Sequence, residues 1–343
     1  MQDNFWIQKN ILITGHTGFK GSWLALVLKT HGANVFGISL SEKIGIYETI
    51  QNNEIFKSEL FSNICGDLTK IEEFILKNEI EIVFHFAAQS LVPTAVIKPQ
   101  ETLNTNIIGT YNILEVCNNV NSIKSIVVAT TDKVYFNTEI FNVETDQLGG
   151  NEIYSISKVA GENIIKYFIN EKLNNNLNIS IVRSGNVIGG GDRGEGRLVT
   201  DIVKSINKEI VLNVRNPNGI RPWQDILDSI DGYMKVAKYT YSERKSEIFN
   251  LNSEENNNYS VKEIIKLFNS SCGREIDVSY ENLDAFFETQ FLRLNSQKAK
   301  NLLDWHPKVS IKESIDKIVQ WEKHFQNTKN DVVSVEQIKK YYF

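Results

Sequence analysis

The sequence has no excess of positive charge, no long apolar run and very little cysteine, and each shortage excludes a class of protein. Thirty-seven Lys and Arg stand against 42 Asp and Glu, a net charge of −5. Nothing in that balance would coat a phosphate backbone, so nucleic acid is not an expected partner. The apolar runs fall well short of the roughly 18–20 residues that cross a bilayer. Met1 to Gln8 includes Asp3 and has no basic stretch leading into a hydrophobic one, so neither a membrane span nor a secretory signal is expected. Cys65, Cys117 and Cys272 are scattered, with no CxxC and no Cys/His cluster. That argues against a disulfide framework or a metal site and for a reduced, cytoplasmic setting.

What the chain does have is an ordinary globular balance, 41% apolar and 23% charged, over 343 residues. That length suits two packed lobes, or one large α/β unit with an appendage. In the first half, short β-prone runs alternate with segments of helical length. Ile11–Thr14 leads through a glycine turn into an amphipathic stretch, Phe19–Thr30. Asn34–Leu40, the segment around Asn63–Cys65, Glu81–Phe86, Ser125–Ala129 and Ile179–Arg183 follow as strands. Continuous rather than alternating apolar strands predict a parallel sheet buried on both faces, hence a Rossmann-like, doubly wound α/β fold. Beyond Arg183, six glycines between Gly185 and Gly196 read as loop. The expected division is a dinucleotide-binding domain at 1–185, with about 228–251 returning to it, and a smaller substrate lobe formed by 186–227 and 252–343.

Thr14-Gly15-His16-Thr17-Gly18-Phe19-Lys20-Gly21 directly follows the first strand and opens a helix. Glycines at 15, 18 and 21 permit a tight turn, close approach to a pyrophosphate and close helix–strand packing, while the helix N-terminus offers free N–H groups to the anion. The GxxGxxG spacing resembles the extended branch of the short-chain dehydrogenase/reductase superfamily. The resemblance implies cofactor contacts from Gly15, Thr17, Gly18, Phe19 and Gly21, from Asp67 and Leu68 after the third strand, and from Ala87, Ala88 and Gln89 after the fourth. It also gives Asn106 a structural role. The second strand ends Ser39-Leu40-Ser41-Glu42-Lys43, without an acid at its tip to grip a ribose hydroxyl. NAD is therefore expected from resemblance, and Lys43 leaves NADP open.

Tyr154-Ser155-Ile156-Ser157-Lys158 is a YxxxK motif whose i, i+4 spacing sets phenol and ammonium on one helix face. A neighbouring cation stabilises a phenolate and brings its pKa toward the working range. Thr131-Asp132-Lys133 closes the strand Ser125–Ala129, at the sheet edge where open α/β folds bind ligands. Thr131 is placed to hydrogen-bond a sugar oxygen, and Asp132 with Lys133 adds an acid/base pair that a simple reductase or epimerase does not need.

These residues resemble the nucleotide-sugar 4,6-dehydratases. Thr-Asp-Lys in place of Thr-Asp-Glu is similar to the variant that acts on CDP-glucose. Gly15–Leu24, Gly149-Gly150, Gly185–Asp192, Ile220–Gln224 and Trp305-His306-Pro307 carry the likeness along the chain. The resemblance implies a lyase that works with NAD on a nucleotide sugar by internal hydride transfer. Tyr154 would act at the 4-hydroxyl, supported by Thr131 and Lys158. Lys133 would be the base at C5, which requires its pKa to be lowered, and Asp132 the acid at O6. Gln89, Thr131, Asn186, Arg197 and Arg221 would hold the substrate, the arginines through their planar fork. It further implies a homodimer or dimer of dimers, paired through Gln100–Cys117 and Glu152–Phe168. Where related enzymes carry Arg, Ser and Tyr after Gln89, this chain reads Pro93-Thr94-Ala95-Val96, and Arg193 stands in place of a Trp. A different sugar or nucleotide, an NDP-sugar epimerase, and a regulatory protein that binds dinucleotide without chemistry are the competing expectations.

Overall fold

A computed structural model describes residues 4–136, 140–171, 176–214, 216–253, 258–280 and 293–343. Among them run the strands β1 (Asn10–Thr14), β2 (Asn34–Ser39), β3 (Phe56–Phe61), β4 (Ile82–His85), β5 (Ser125–Ala129), β6 (Asn178–Ser184), β7 (Asn186–Ile188), β8 (Leu212–Val214), β9 (Ile220–Asp225), β10 (Ile248–Leu251), β11 (Asn258–Ser260) and β12 (Val278–Tyr280). Seven of these form one parallel sheet in the order β10-β6-β5-β4-β1-β2-β3. The order reverses between β1 and β4, and that switch point is where open α/β sheets bind ligands.

The sheet's two faces are sealed by separate apolar clusters, and alternate residues of β1 serve each. Ile11 and Ile13 face Trp23, Leu24 and Tyr233, whereas Leu12 faces Ile71, Val83 and Ile113. Burial on both faces is why these strands read as unbroken apolar runs. The helix Phe19–Thr30 departs from the amphipathic expectation, because every residue from Gly21 to Leu28 is buried. It packs on β1 and β2 with the helices Ile46–Ile50 and Ile226–Glu243 also against it, so little of it meets solvent. The third strand also differs from expectation. It is Phe56–Phe61, and Ile64-Cys65 falls in the turn beyond it. Its Lys57, Ser58 and Glu59 give it little apolar signal, as befits the sheet's edge.

A second core gathers around Ile202, Leu212, Trp223, Phe268, Ile315 and Ile318. β7, β9 and β11 form a small sheet there, and β8 pairs with β12. The glycine-rich run between the two cores is more than loop. Trp23 Nε1 donates to the Gly190 carbonyl at 3.0 Å, and any Cβ on Gly190 would collide with the Trp321 ring.

One buried ion pair ties the helix Ile153–Glu171 to the sheet. Arg183 on β6 donates from Nη2 to Glu162 Oε2 at 2.6 Å and from Nε to Oε1 at 3.0 Å, both side chains being essentially solvent-free. Thr130 Oγ1 donates to the same Oε1 at 2.8 Å, and Arg183 Nη1 donates to the Tyr135 hydroxyl at 2.8 Å. Removing one partner strands the other charge without water. Glu162→Ala should therefore cost about 3–5 kcal/mol, read as a lowered urea midpoint. A loss below about 0.5 kcal/mol would show that the pair holds nothing in place.

Candidate active site

The carboxyl ends of β1, β4, β5 and β6 open onto a cleft of about 1550 Å³, walled on its far side by β7, β8 and the helix Leu198–Lys208. A single small-molecule pocket occupies about 300–1,000 Å³, so this cleft has room for a dinucleotide and a second ligand. Gly15, Thr17, Gly18, Phe19 and Gly21 form one end. Gly15 has φ +76°, and a Cβ there would lie 2.8 Å from the Ala87 nitrogen, so β4's continuation packs directly on the turn. A Cβ on Gly21 would collide with the Gly15 carbonyl, which brings helix and loop into contact. No side chain caps the helix at Gly18. Its first N–H groups thus face the cleft ready for an anion. Thr17 Oγ1 and Ser39 Oγ lie 2.7 Å apart at the tip of β2. Beyond them Glu42 lines the cleft, whereas the Lys43 ammonium sits over the Phe61 ring.

The residues after β4 divide. Ala87 and Ala88 line the cleft, but Gln89 does not. Its side-chain amide donates to the Leu91 carbonyl (3.1 Å) and Thr102 Oγ1 (2.8 Å) and accepts from the Leu91 N–H (2.6 Å). Asn106 holds the Gln89 backbone on both sides and donates to Ser157 Oγ at 2.9 Å. In this structure Gln89 braces its loop, its side-chain amide bonded to Leu91 and Thr102. Asn106 lies in a π-helical turn, Asn104–Ile108, a feature often found beside functional sites and one with no sequence signal. Asp67 and Leu68 also lie outside the cleft lining. The Asp67 carboxylate caps its own helix, accepting from the Thr69 and Lys70 N–H groups, and Ser62, Asn63 and Ile64 form the wall instead. His85 is buried between Thr14 Oγ1 (2.7 Å) and Thr110 Oγ1 (3.2 Å), and burial drives its pKa down to about 3.

Thr131, Asp132, Lys133, Tyr154 and Lys158 all line the same stretch of the cleft. The helical spacing of the YxxxK motif and its anchoring through Glu162 bring two of them there. The Thr130 link to Glu162 brings the other three. Thr131 Oγ1 donates to Asp132 Oδ1 at 2.8 Å and accepts from the Lys133 N–H at 3.3 Å. Asp132 is buried, its Oδ2 has no protein partner, and burial raises its pKa against the pull of Lys133 and Arg221. Lys158 donates to the Ala129 carbonyl at 3.3 Å, and burial lowers its pKa to about 8 although Glu162 opposes this. Tyr154 departs from the expected shift. Burial pushes its phenol up to about 12, while the Thr131 hydroxyl and the Arg197 charge pull it down. In the ligand-free chain, desolvation outweighs the help that Lys158 was expected to give.

The substrate side is more occupied than the sequence implies. Asn186 on β7 and Arg221 on β9 line the cleft, as does Arg197. Arg197 Nη1 already contacts both Asp192 oxygens (3.0 and 2.8 Å), and its Nη2 donates to Ser90 Oγ at 3.0 Å. Arg193 forms a paired bond to Glu322 and lies over the Trp321 and Phe325 rings, so it ties the glycine-rich run to the helix Ile311–Asn327. Trp223 is buried, with its indole N–H donated to the Tyr259 carbonyl at 3.0 Å. Among the described residues no cluster of His, Cys, Asp and Glu is arranged to hold a metal ion, and no helix is long and apolar enough to cross a membrane.

The sequence profile described as GDP-mannose 4,6 dehydratase matches residues 12–318, nearly the whole span just described. The chain belongs to that family. It is 36% identical over 332 residues to the CDP-glucose 4,6-dehydratase of Salmonella typhimurium, covering 93% of this chain and 92% of that protein. It is 26% identical to the CDP-paratose 2-epimerase of Salmonella typhi, over 91% and 98% of the two chains. Among solved structures, the dTDP-glucose 4,6-dehydratase of Bacillus anthracis in complex with NAD superposes with a TM-score of 0.77 at 22% identity, over 93% and 98% of the chains. A UDP-glucose 4-epimerase from Stenotrophomonas maltophila with bound NAD reaches 0.84 at 19% identity, over 93% and 99%. Proteins named as dehydratases and as epimerases thus share the fold, and this chain's own cleft residues must decide the chemistry.

The brace role of Gln89 is open to direct test. Gln89→Ala should lower unfolding stability by about 1–3 kcal/mol, since it leaves Leu91 and Thr102 groups unpaired. NAD affinity, read by titration calorimetry, should stay within about twofold. Unchanged stability with lost affinity would return Gln89 to ligand contact.

Proposed function

We propose that this protein is a nucleotide-sugar 4,6-dehydratase, a hydro-lyase that removes water from CDP-glucose with NAD bound in the cleft. The observation that carries the reading is Thr131-Asp132-Lys133 set on one wall with Tyr154 and Lys158, in a chain 36% identical along most of its length to a CDP-glucose 4,6-dehydratase. An epimerase needs Tyr154 and Lys158 but leaves a buried Asp132 beside Lys133 without work.

The glycine turn, the uncapped helix start and the Ala87-Ala88 floor fit a dinucleotide, because a Cβ at Gly15 or Gly21 would fill the close approach they leave. Gly15, Thr17, Gly18, Phe19, Gly21, Ala87 and Ala88 would hold NAD together with Tyr154 and Lys158, and Glu42 rather than Lys43 is the residue at hand for the adenosine ribose. When bound, NAD would supply a positive charge and a reversible hydride acceptor, taking the hydride of C4 and giving it back at C6 once O6 has left, while Lys133 would return its proton to C5, so that the net change is the loss of one water. Tyr154 moves the proton of the sugar 4-hydroxyl, and Thr131 holds that oxygen. With C4 a ketone, the C5 hydrogen is acidic and Lys133 takes it. Asp132, whose burial favours the protonated carboxyl, gives a proton to the departing O6. Asn186, Arg197 and Arg221, in the lobe formed by 186–227 and 252–343, would hold the nucleotide diphosphate.

The assay is incubation with CDP-glucose and mass spectrometry of the product. Loss of one water supports the reading, and an unchanged mass with a new isomer would make the protein an epimerase. Lys133→Met should lower turnover about 10²–10⁴-fold with CDP-glucose affinity little changed. Normal dehydration by that variant would remove Lys133 from the reaction.

We also propose that two copies pair through the helices that wall the cleft from outside. Ile108, Tyr111, Ile156 and Tyr167 are exposed on the adjoining helices Gly109–Asn119 and Ile153–Glu171 and the π turn between Leu103 and Gly109. An apolar stripe of this kind is seldom left to water. Light scattering should report a dimer for the natural chain and a monomer for Ile108→Glu combined with Tyr167→Glu. A monomeric natural chain would end this proposal.

A further inference from the structure

The helix that begins at the glycine turn carries a cation for which neither the motif nor the reaction gives a role. Lys20 lines the cleft directly beside Gly18 and Gly21. Its ammonium lies 5.4 Å over the Tyr233 ring, and no hydrogen-bond acceptor or carboxylate partner among the described residues reaches it. An aromatic face is a poor substitute for water around an ammonium. The neighbours sharpen the deficit. Arg197 and Lys158 act on Lys20 as like charges, while Asp132 and Asp192 attract it from a distance. Asp192 is already committed to Arg197, and Lys158 to the Ala129 carbonyl. Tyr233 offers a ring and a buried hydroxyl that itself lacks a partner. A lysine so placed is held for a charge that arrives with a ligand.

We propose that Lys20 is a diphosphate-binding residue, completing with the uncapped helix start an anion site on the floor of the cleft. The proposal rests on the dinucleotide and nucleotide-sugar reading above. Both of those ligands carry a diphosphate, and backbone N–H groups at the glycine turn provide hydrogen bonds but no full charge. An ammonium beside them supplies the counter-charge, and a charge-assisted bond of this kind is stronger than a neutral one. The same burial explains the group's titration. Desolvation, with Arg197 and Lys158 beside it, lowers the Lys20 pKa to about 7, so above neutral pH the ligand-free chain holds it mostly uncharged. An arriving diphosphate favours the ammonium, and binding must then draw a proton from solvent.

The test compares the natural chain, Lys20→Met and Lys20→Arg by titration calorimetry with NAD, ADP-ribose, CDP and adenosine, repeated in buffers of different ionisation enthalpy. Lys20→Met keeps the apolar stem against Tyr233. The diphosphate ligand that Lys20 serves should bind about 10–100-fold more weakly to it. Adenosine, which has no phosphate, should be unaffected. Lys20→Arg should recover part of the loss. Loss with NAD and ADP-ribose identifies the dinucleotide as the source, and loss with CDP identifies the nucleotide sugar. Near pH 8.5 the natural chain should take up most of one proton more than Lys20→Met on binding that ligand, and near pH 6 the two should agree. Equal affinities and equal proton uptake for every diphosphate would overturn the assignment of Lys20. Failure of the natural chain to bind any of them would overturn the dinucleotide reading itself, a separate result. Thermal unfolding of both variants shows whether a loss reflects the fold, and Lys20→Arg keeps the question open to decision if Lys20→Met unfolds.

Discussion

The arrangement of the cleft depends on one solvent-free carboxylate. Glu162 receives Arg183 from β6 and Thr130 from the end of β5, so three separate stretches of chain meet at two oxygen atoms. Two helical turns before it stands Tyr154, and one turn before it Lys158. One residue after Thr130 begins Thr131-Asp132-Lys133. A buried ion pair adds little net stability compared with an apolar pair, yet it is intolerant of displacement. Here that intolerance serves position. Residues that could hang loosely from a loop and a helix are referred to one fixed point in the sheet, and Glu162 also favours the charged form of Lys158.

Around that point the cleft is unusually rich in groups whose charge is under pressure. Lys20 and Lys158 are driven down toward neutrality, and Tyr154 and Asp132 are driven up, each mainly by loss of water. Without ligand the site is strained electrostatically in both directions. Ligands that bring phosphate and positive charge relieve these pressures, so the cleft's affinity and its chemistry arise from the same desolvation.

Much of this was legible in the sequence because the signals were local. A glycine turn between a short apolar run and a helix, and an i, i+4 pair, carry their geometry with them, and β1, β5 and the helix from Phe19 lie where the sequence puts them. The CDP-glucose-type triplet likewise led to the family to which the chain belongs. What escaped was set by tertiary contact. β3 is polar because it is an edge, so Asn63–Cys65 looked the better candidate. Gln89 and Asp67 bond to neighbours in the fold, Gln89 to Thr102 Oγ1 and the Leu91 N–H and Asp67 to the N–H groups of its own helix, bonds that no residue type announced. Lys20 was visible as a letter in a motif. Only the fold shows that no acceptor among the described residues reaches it.

The seam at Gly190, where the glycine-rich run packs on the main core, has an optical side. The indole of Trp23 donates to that carbonyl, and the indole of Trp321 lies against the same residue's Cα from the other side. Two of the chain's five tryptophans therefore flank one peptide unit at the seam. A shift of that peptide by a fraction of an ångström would change the polarity and quenching around both rings. The molecule thus carries a built-in fluorescent gauge of the packing at that point, with no label to attach.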